Sequence, residues 1–334
     1  MQIYGELIGG ARRSPALCTM MVVVAAMLPS GIASAALEAQ APIGLVRSGT
    51  AHEALFAIAF SGREGMAVGS AGSALVSSDA GSNWKQETRV PTLLALLGVA
   101  LNATSAIAVG QSGLILTKHL ADGDWKQVQS GTKNRLFSVG LNRHGEAVAV
   151  GAFGTVLRST DEGAAWQSIA PPWKSYVEDA VEPHMYVANV TDEGVLTICG
   201  EFGLILRSAN GGARWDLAHK GDASIFALHI RPDGIGYAVG QSGTILQTAD
   251  RGVSWKGLEP ATKANLLGVH STADGHVVVT GMHDMLESDD DGHSWRHVKT
   301  AETTASWYGG VSQADATAAV LMVGHAGQIV RVNH

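Results

Sequence analysis

Five copies of one short motif repeat an acidic or amide residue at a fixed distance before a tryptophan. The motif is Ser/Thr-x-Asp/Asn-x-Gly-x-x-Trp, and its copies are SSDAGSNW (77–84), STDEGAAW (159–166), SANGGARW (208–215), TADRGVSW (248–255) and SDDDGHSW (288–295). Aspartate carboxylates serve as acid, base or nucleophile in glycoside hydrolases. The first question is therefore whether any copy is a catalytic site.

Turn chemistry explains the residue types of the motif without any ligand. In STDEGAAW, Asp161 can accept N–H bonds within its own turn, and Ser159 can add a hydroxyl partner. Gly163 permits positive φ, and Trp166 can pack between sheets while its indole N–H finds an acceptor. We interpret the copies as structural boxes without catalytic residues, centred on Asp79, Trp84, Asp161, Trp166, Asn210, Trp215, Asp250, Trp255, Asp290 and Trp295.

A second marker repeats with the same period as the tryptophans. It is the glycine that ends runs such as MAVG, IAVG and YAVG: Gly69, Gly110, Gly151, Gly200, Gly240, Gly281 and Gly324, at steps of 41, 41, 49, 40, 41 and 43 residues. A degenerate box, KHLADGDW (118–125), keeps Trp125 and extends the tryptophan series to six. Two independent markers with one period near 40 residues indicate repeated four-stranded units.

Each unit reads as four short strands separated by tight, glycine-containing turns. The first strands are LFAIAF (55–60), LLGVAL (96–101), LFSVGL (136–141), MYVANV (185–190), IFALHI (225–230), LLGVHS (266–271) and WYGGVS (307–312). The pattern predicts an all-β fold, a seven-bladed β-propeller. The last unit lacks its fourth strand, and LVRSGTAHEALFAI (45–58) matches KQVQSGTKNRLFSV (126–139). We therefore predict that residues 45–49 supply that strand and close the ring.

The N-terminus has the pattern of an export signal. Arg12 and Arg13 precede the apolar run 16–28, and small residues at 33–35 fit a signal-peptidase site. We expect residues 1–35 to be a signal peptide and 42–334 to form one propeller domain, exported to the periplasm and not membrane-spanning after cleavage. Only Cys199 then remains, so no intramolecular disulfide can form.

Composition limits the partners and cofactors. The full chain has 334 residues and a formal net charge of −7, and losing Arg12, Arg13 and Glu6 adds one negative charge. An acidic balance argues against nucleic-acid binding. The histidines are scattered, so we predict no metal and no cofactor.

The repeated unit resembles two known sequence patterns. Its box is similar to the Asp box of bacterial neuraminidase (BNR) repeats. The complete unit VG-x-x-G-x-I-L-R-S-x-D-x-G-x-x-W resembles more closely the photosystem II stability/assembly factor family, over nearly all of the mature chain. That resemblance implies a non-enzymatic, monomeric propeller that binds subunits of integral-membrane complexes, in a thylakoid lumen if the host is photosynthetic. An accessory protein of an envelope transport system is the alternative within binding functions.

A sialidase-like glycoside hydrolase is the enzymatic alternative. The resemblance to that class implies a clamp of three arginines and a tyrosine nucleophile. Arg158, Arg207 and Arg331 occupy one repeat position in different units, so we do not expect them to converge. An Arg-Ile-Pro motif is also missing from the sequence. We therefore predict that the protein is not an enzyme.

Protein binding is expected on one face of the ring. Turns between second and third strands share a face with the connectors between blades, which we name the connector face; the boxes lie on the opposite, Asp-box face. The connector at 170–186 is about eight residues longer than its neighbours and carries aromatic and acidic side chains. It is either a tolerated insertion or a recognition loop. The candidate partner contacts are Trp173, Tyr176, Glu178, Asp179, His184, Phe153, Phe202, Gln111, Gln241 and His325.

Overall fold

Seven antiparallel four-stranded sheets surround a central channel. The computed structural model describes residues 42–121, 123–178, 182–315 and 318–333. Within each sheet the strand that comes first in its repeat is innermost. Inner strands of successive sheets contact one another, and the seventh contacts the first, so the ring is closed. The predicted seven-bladed β-propeller is confirmed.

The strand bounds follow the predicted repeat closely. Blade by blade they are β2 Leu55–Ser61, β3 Glu64–Gly69, β4 Ala74–Ser77, β5 Lys85–Gln86; β6 Leu96–Leu101, β7 Ser105–Gly110, β8 Ile115–His119, β9 Trp125–Val128; β10 Leu136–Leu141, β11 Ala147–Gly151, β12 Val156–Ser159, β13 Gln167–Ser168; β14 Met185–Val190, β15 Leu196–Gly200, β16 Ile205–Ser208, β17 Asp216–His219; β18 Ile225–Ile230, β19 Gly236–Gly240, β20 Ile245–Thr248, β21 Lys256–Gly257; β22 Leu266–Ser271, β23 Val277–Gly281, β24 Met285–Ser288, β25 Arg296–His297; and β26 Tyr308–Gln313, β27 Val320–Gly324, β28 Ile329–Val332.

The N-terminal strand β1 (Ile43–Arg47) completes the seventh blade by pairing with β28, as predicted. The strand lies two residues earlier than the predicted 45–49. The Gly49 N–H donates to Ala326 O at 3.0 Å, in the turn that follows β27. Gly49 therefore belongs to the connector and not to the strand. The Arg47 guanidinium also donates to Gly327 O at 2.6 Å, which fixes the end of β1 against the last turn. The predicted signal peptide lies outside the described residues.

One close backbone approach explains the glycine at the end of each second strand. A Cβ on Gly110 would lie 2.1 Å from Ala95 O, a distance that no side chain permits. That same carbonyl accepts the N–H of Gln111 at 3.1 Å. The bond recurs in all seven blades at 2.9–3.1 Å, from Ser70, Gln111, Ala152, Glu201, Gln241, Met282 and His325 to the residue that precedes the inner strand.

Every inner strand also carries a β-bulge at its second residue. Leu55 pairs with Gly69 and Ala57 with Val68, so Phe56 is an extra residue with no partner in the ladder. A bulge redirects the side chain of the extra residue. The seven bulge residues are Phe56, Leu97, Phe137, Tyr186, Phe226, Leu267 and Gly309, and they line the channel at the connector face.

The hydrophobic core lies between adjacent sheets. Ile107 and Ile115 of the second blade, for example, pack with Leu136 and Ala149 of the third. A five-residue helix, α1 (Ala301–Ala305), lies in the connector before the last blade, where the sequence predicted no helix. No helix in the described ranges is long and apolar enough to span a bilayer.

Two histidines on neighbouring inner strands pack against each other in the wall between the fifth and sixth blades, with their ring planes tilted by 33°. The ring centroids of His229 and His270 are 4.2 Å apart, and Ser271 N–H donates to His229 Nδ1 at 3.1 Å. Burial lowers the pKa of His270 to about 4, with a smaller contribution from His276. Burial, then the charges of His270 and Arg231, lower the pKa of His229 well below its ordinary value.

Replacing Gly110 tests the close approach. We expect Gly110→Ala to lower the free energy of unfolding by about 3 kcal/mol or more, because the new Cβ would collide with Ala95 O. Gly257→Ala is the matched control, since the nearest atom to its Cβ would be 4.0 Å away. Urea unfolding of both variants measures the difference, and equal stabilities would contradict the constraint.

The buried pair His229 and His270 predicts a loss of stability in mild acid. Their native pKa values lie below the ordinary 6.5, so the unfolded chain binds more protons at intermediate pH. Their contribution is complete above about pH 6.5 and decreases towards pH 4, by at most about 1.4 kcal/mol per pH unit for each histidine. Thermal unfolding between pH 7.5 and 5 should show a smaller loss for His270→Gln than for the wild type. The exposed His52 provides the control, because His52→Gln should keep the wild-type dependence.

Candidate functional site

The boxes on the Asp-box face form self-contained turns. In the first blade, Asp79 Oδ1 accepts the Asn83 N–H at 2.9 Å and the Ser77 hydroxyl at 2.9 Å. Ser77 Oγ in turn accepts the Gly81 N–H at 2.9 Å, and the Trp84 indole donates to Gly81 O at 3.0 Å. Local hydrogen bonding therefore explains why the same spacing recurs in each box.

The box carboxylates of the other blades are used in the same way. Hydrogen bonds from Ser254 hold the pKa of Asp250 at about 2, and those from Ser294 do the same for Asp290. Asn210 substitutes through its amide oxygen, which accepts the Arg214 N–H at 2.9 Å. A carboxylate held ionised by its own turn is poorly suited to act as a general acid.

The indole N–H groups of the box tryptophans do not share one hydrogen-bond acceptor, although the tryptophans are regularly spaced in the sequence. Trp84 and Trp166 donate to the glycine carbonyl of their own box, whereas Trp215 donates to Ile169 O at 3.2 Å. The buried indole N–H groups of Trp255 and Trp295 find no acceptor among the described residues. The shared role of these rings is therefore packing between blades, and the hydrogen bond varies.

A cavity of about 600 Å³ opens on the Asp-box face, with a lining that includes Arg143, Arg207, Arg231 and Arg251. Arg231 is neutralised by Asp233 at 2.8 Å and Asp291 at 2.7 Å. Of the three arginines that share a repeat position, only Arg207 lines the cavity, while Arg158 pairs with Glu146 at 2.6 Å. No tyrosine is among the described residues that line it, so the nucleophile of a sialidase-like site has no counterpart there.

The glutamines predicted as partner contacts bind their own connectors. Gln111 Oε1 accepts the Ala95 N–H at 3.0 Å, and Gln241 Oε1 accepts the Ser224 N–H at 3.4 Å. These side chains therefore fix the start of the inner strand. His325, in the equivalent turn of the last blade, is exposed on the connector face.

The long connector is anchored by two aromatic residues that were predicted as partner contacts. Trp173 is only 7% exposed, and its indole donates to Gly154 O at 3.1 Å. Tyr176 is partly buried, and its hydroxyl donates to Trp215 O at 2.7 Å. Trp173 was predicted as a partner contact, but its indole is buried, because it fills the space over Gly154 beneath the lengthened connector. Glu178 is exposed, and Asp179 lies outside the described residues.

Two phenylalanines occupy unfavourable turn conformations on the connector face. The middle residue of each tight turn has positive φ, and five blades place Ala, Ser or His there: Ala71, Ser112, Ser242, His283 and Ala326. Phe153 (φ 52°) and Phe202 (φ 58°) are instead large, and they are 58% and 39% exposed. Left-handed backbone costs an L-residue about 1 kcal/mol or more, so turn formation does not explain either phenylalanine.

A row of five rings runs from the channel to the tip of the third blade. Its ring centroids are separated by 5.3 Å from Phe226 to Tyr186, 5.5 Å from Tyr186 to Phe137, 6.3 Å from Phe137 to His184 and 4.9 Å from His184 to Phe153. We call these residues the aromatic row. Its outer members, Phe153 and His184, are among the partner contacts predicted from the sequence. The inner three are not, because β-bulges that the sequence pattern does not reveal turn them towards the channel.

Glu201 borders the aromatic row. Its Oε2 accepts the His184 N–H at 2.7 Å, and the Tyr186 hydroxyl donates to its Oε1 at 3.5 Å. Burial and the neighbouring Glu201 carboxylate together raise the pKa of Tyr186 to about 12. Among the described residues, Glu201 forms no ion pair with a basic side chain.

Comparisons with known proteins support the fold. No protein-family model matches the chain, and no curated protein matches it. The structure is similar to YCF48 bound to a D1 peptide, with TM-score 0.69 and 18% identity over 88% of this chain and 97% of that one. YCF48 from Cyanidioschyzon merolae gives TM-score 0.69 and 16% identity, over 88% and 99% of the two chains. A GH74 xyloglucanase from Xanthomonas campestris gives TM-score 0.67 and 13% identity, over 87% of this chain and 53% of that one. At these identities the likeness is one of fold, shared by a peptide-bound propeller and a hydrolase.

Truncating Trp173 tests its role as a support for the long connector. We expect Trp173→Ala to lower the free energy of unfolding by about 3–5 kcal/mol, because it empties a buried ring site and leaves Gly154 O without its donor. Lys174→Ala, at the exposed next residue, should change stability by less than about 0.5 kcal/mol. Chemical unfolding distinguishes the two, and a Trp173→Ala variant as stable as the wild type would contradict the supporting role of Trp173.

Proposed function

We propose that this chain is an exported, non-enzymatic propeller that binds protein through its connector face. The observation that carries the proposal is the distribution of exposed apolar side chains. Of eight exposed large hydrophobic residues in the described ranges, five lie on the connector face: Leu93, Leu94, Phe153, Phe202 and Met282. The other three, Leu45, Leu217 and Val253, are spread over the outer strands and the Asp-box face. Apolar side chains gathered on one face of a rigid scaffold are typical of a protein-binding surface.

The partner that we favour is a subunit of an integral-membrane complex. The repeat resembles the photosystem II stability/assembly factor family, and YCF48, which shares the fold, is known in complex with a D1 peptide. The predicted signal peptide would deliver the chain to the periplasm, or to the thylakoid lumen of a photosynthetic host. There it would act as a monomeric assembly or stability factor, or serve an envelope transport system.

A glycoside hydrolase is the competing proposal, because a xyloglucanase shares the fold. The box carboxylates argue against it, since each is engaged by its own turn. The arginine-lined cavity could hold an acidic sugar, but its described lining offers no tyrosine nucleophile. Assays on xyloglucan and on a sialoside should therefore give no turnover above background.

Capture of membrane proteins tests the connector face. Immobilised protein should enrich specific integral-membrane subunits from detergent-solubilised host membranes, identified by mass spectrometry. Combining Leu93→Ser, Leu94→Ser and Met282→Ser should reduce that enrichment at least about fivefold, because it removes apolar contact area from the proposed face. The matched control combines Leu45→Ser, Leu217→Ser and Val253→Ser, which lie elsewhere and are 49–58% exposed, against 38–87% for the test residues. Equal losses in both triple variants, or turnover of either sugar substrate, would overturn the proposal.

A further inference from the structure

The aromatic row has the spacing of a site for an extended peptide. Its ring-to-ring steps range from 4.9 to 6.3 Å. Alternate side chains on one face of an extended chain are separated by roughly 6.6 Å, so successive residues of that face can meet successive rings. The row is continuous with the channel mouth at one end and with the exposed Phe153 at the other.

The charge of Glu201 is not required by the fold. The equivalent turn position holds Ser70, Gln111 and Gln241 in other blades, and each neutral side chain accepts the same connector N–H bond that Glu201 accepts. A partly buried carboxylate is costly unless a cation compensates it. Because none of the described residues supplies that cation, the carboxylate is available to a ligand.

Rings and carboxylate together match one type of ligand group. An arginine or lysine side chain stacks on aromatic faces through its cation and stem, and it forms charge-assisted hydrogen bonds with a carboxylate. On the long connector itself, Glu178 and Glu182 are exposed against one exposed lysine, Lys174, whereas Lys133 and Arg135 are exposed on the connector that precedes Phe137. The preference for a basic ligand therefore rests on Glu201 and the rings, and not on the net charge of this face.

We propose that the aromatic row binds an extended segment of the partner protein in which a basic side chain lies between apolar ones. The basic group pairs with Glu201 against Tyr186 and Phe137, and the flanking apolar side chains contact Phe226 and Phe153. This inference rests on the proposed protein-binding function and specifies the segment that the connector face recognises. It also explains why the third blade tolerates Phe153 at positive φ, since that ring ends the row.

Three synthetic peptides test the inference without the natural partner. They have the form acetyl-Leu-Ser-X-Ser-Leu-amide, where X is arginine, norleucine or glutamate, and ligand-observed NMR measures their affinities for the full chain. We expect the arginine peptide to bind about tenfold more tightly than the norleucine peptide, and the glutamate peptide to bind most weakly. Failure of the arginine peptide to bind, or equal binding of all three, would overturn the inference.

Matched variants locate the contact. Glu201→Gln keeps the N–H acceptor, as Gln111 does, so it should leave the unfolding temperature unchanged. It should also abolish the preference for arginine over norleucine. Phe153→Ser should lower the affinity for the arginine peptide and for the norleucine peptide severalfold. Phe202 occupies the equivalent turn position in the fourth blade but is not part of the aromatic row, so Phe202→Ser should change the affinity for neither peptide. A retained arginine preference in Glu201→Gln would refute the role of Glu201.

The membrane-capture experiment separates this inference from the proposed function. In one outcome, the Leu93, Leu94 and Met282 triple variant loses capture while the peptides show no selectivity for arginine. That combination would support the proposed protein-binding function and overturn the inference that the aromatic row binds a basic segment. Selective peptide binding together with unchanged capture in Glu201→Gln would also count against the inference, because the natural partner would not use the site.

Discussion

The architecture depends on the contact between a glycine and the carbonyl group that precedes each inner strand. In all seven blades this carbonyl accepts an N–H at 2.9–3.1 Å from the residue after the glycine. In the second blade a Cβ at the glycine would lie 2.1 Å from the carbonyl oxygen, so no larger residue is compatible. The contact fixes the point at which the connector enters the channel wall. It therefore sets the position of the inner strand and the relation of each blade to the next.

The inner-strand bulge lies immediately after this contact. Once the first residue of the strand is held opposite the glycine, the ladder resumes only at the third residue, and the second is left over. A purely structural repeat thus places one side chain per blade at the channel mouth. Because that residue has no partner in the ladder, the sheet does not restrict its type. The third to fifth blades have Phe137, Tyr186 and Phe226 at this position.

The residues proposed to bind a partner are departures from the repeat. Ser70, Gln111 and Gln241 stand at the position of Glu201 in other blades, and four blades place Ala or Ser at the position of Phe153. The boxes are the opposite case. Their carboxylates and hydroxyls accept backbone N–H groups of the same turn, including that of the glycine. The most conspicuous motif of the chain therefore has few polar groups left to bind a ligand. The lengthened connector combines both kinds of feature, since Trp173 and Tyr176 hold it down while His184 joins the aromatic row.

The sequence alone determined the number of blades, the inner strands and the closure by an N-terminal strand, because these follow from local spacing of glycines, tryptophans and apolar runs. It also explained the turn of each box, because the hydrogen bonds of its Ser/Thr and Asp/Asn side chains connect residues at most four apart. It misplaced β1 by two residues, because the contact of Gly49 with Ala326 joins opposite ends of the chain. Only the tertiary structure decided that Trp173 is buried and that rings from three blades meet at the channel. Burial and convergence depend on how blades pack across the ring, and a pattern read along one strand contains no information about that distance.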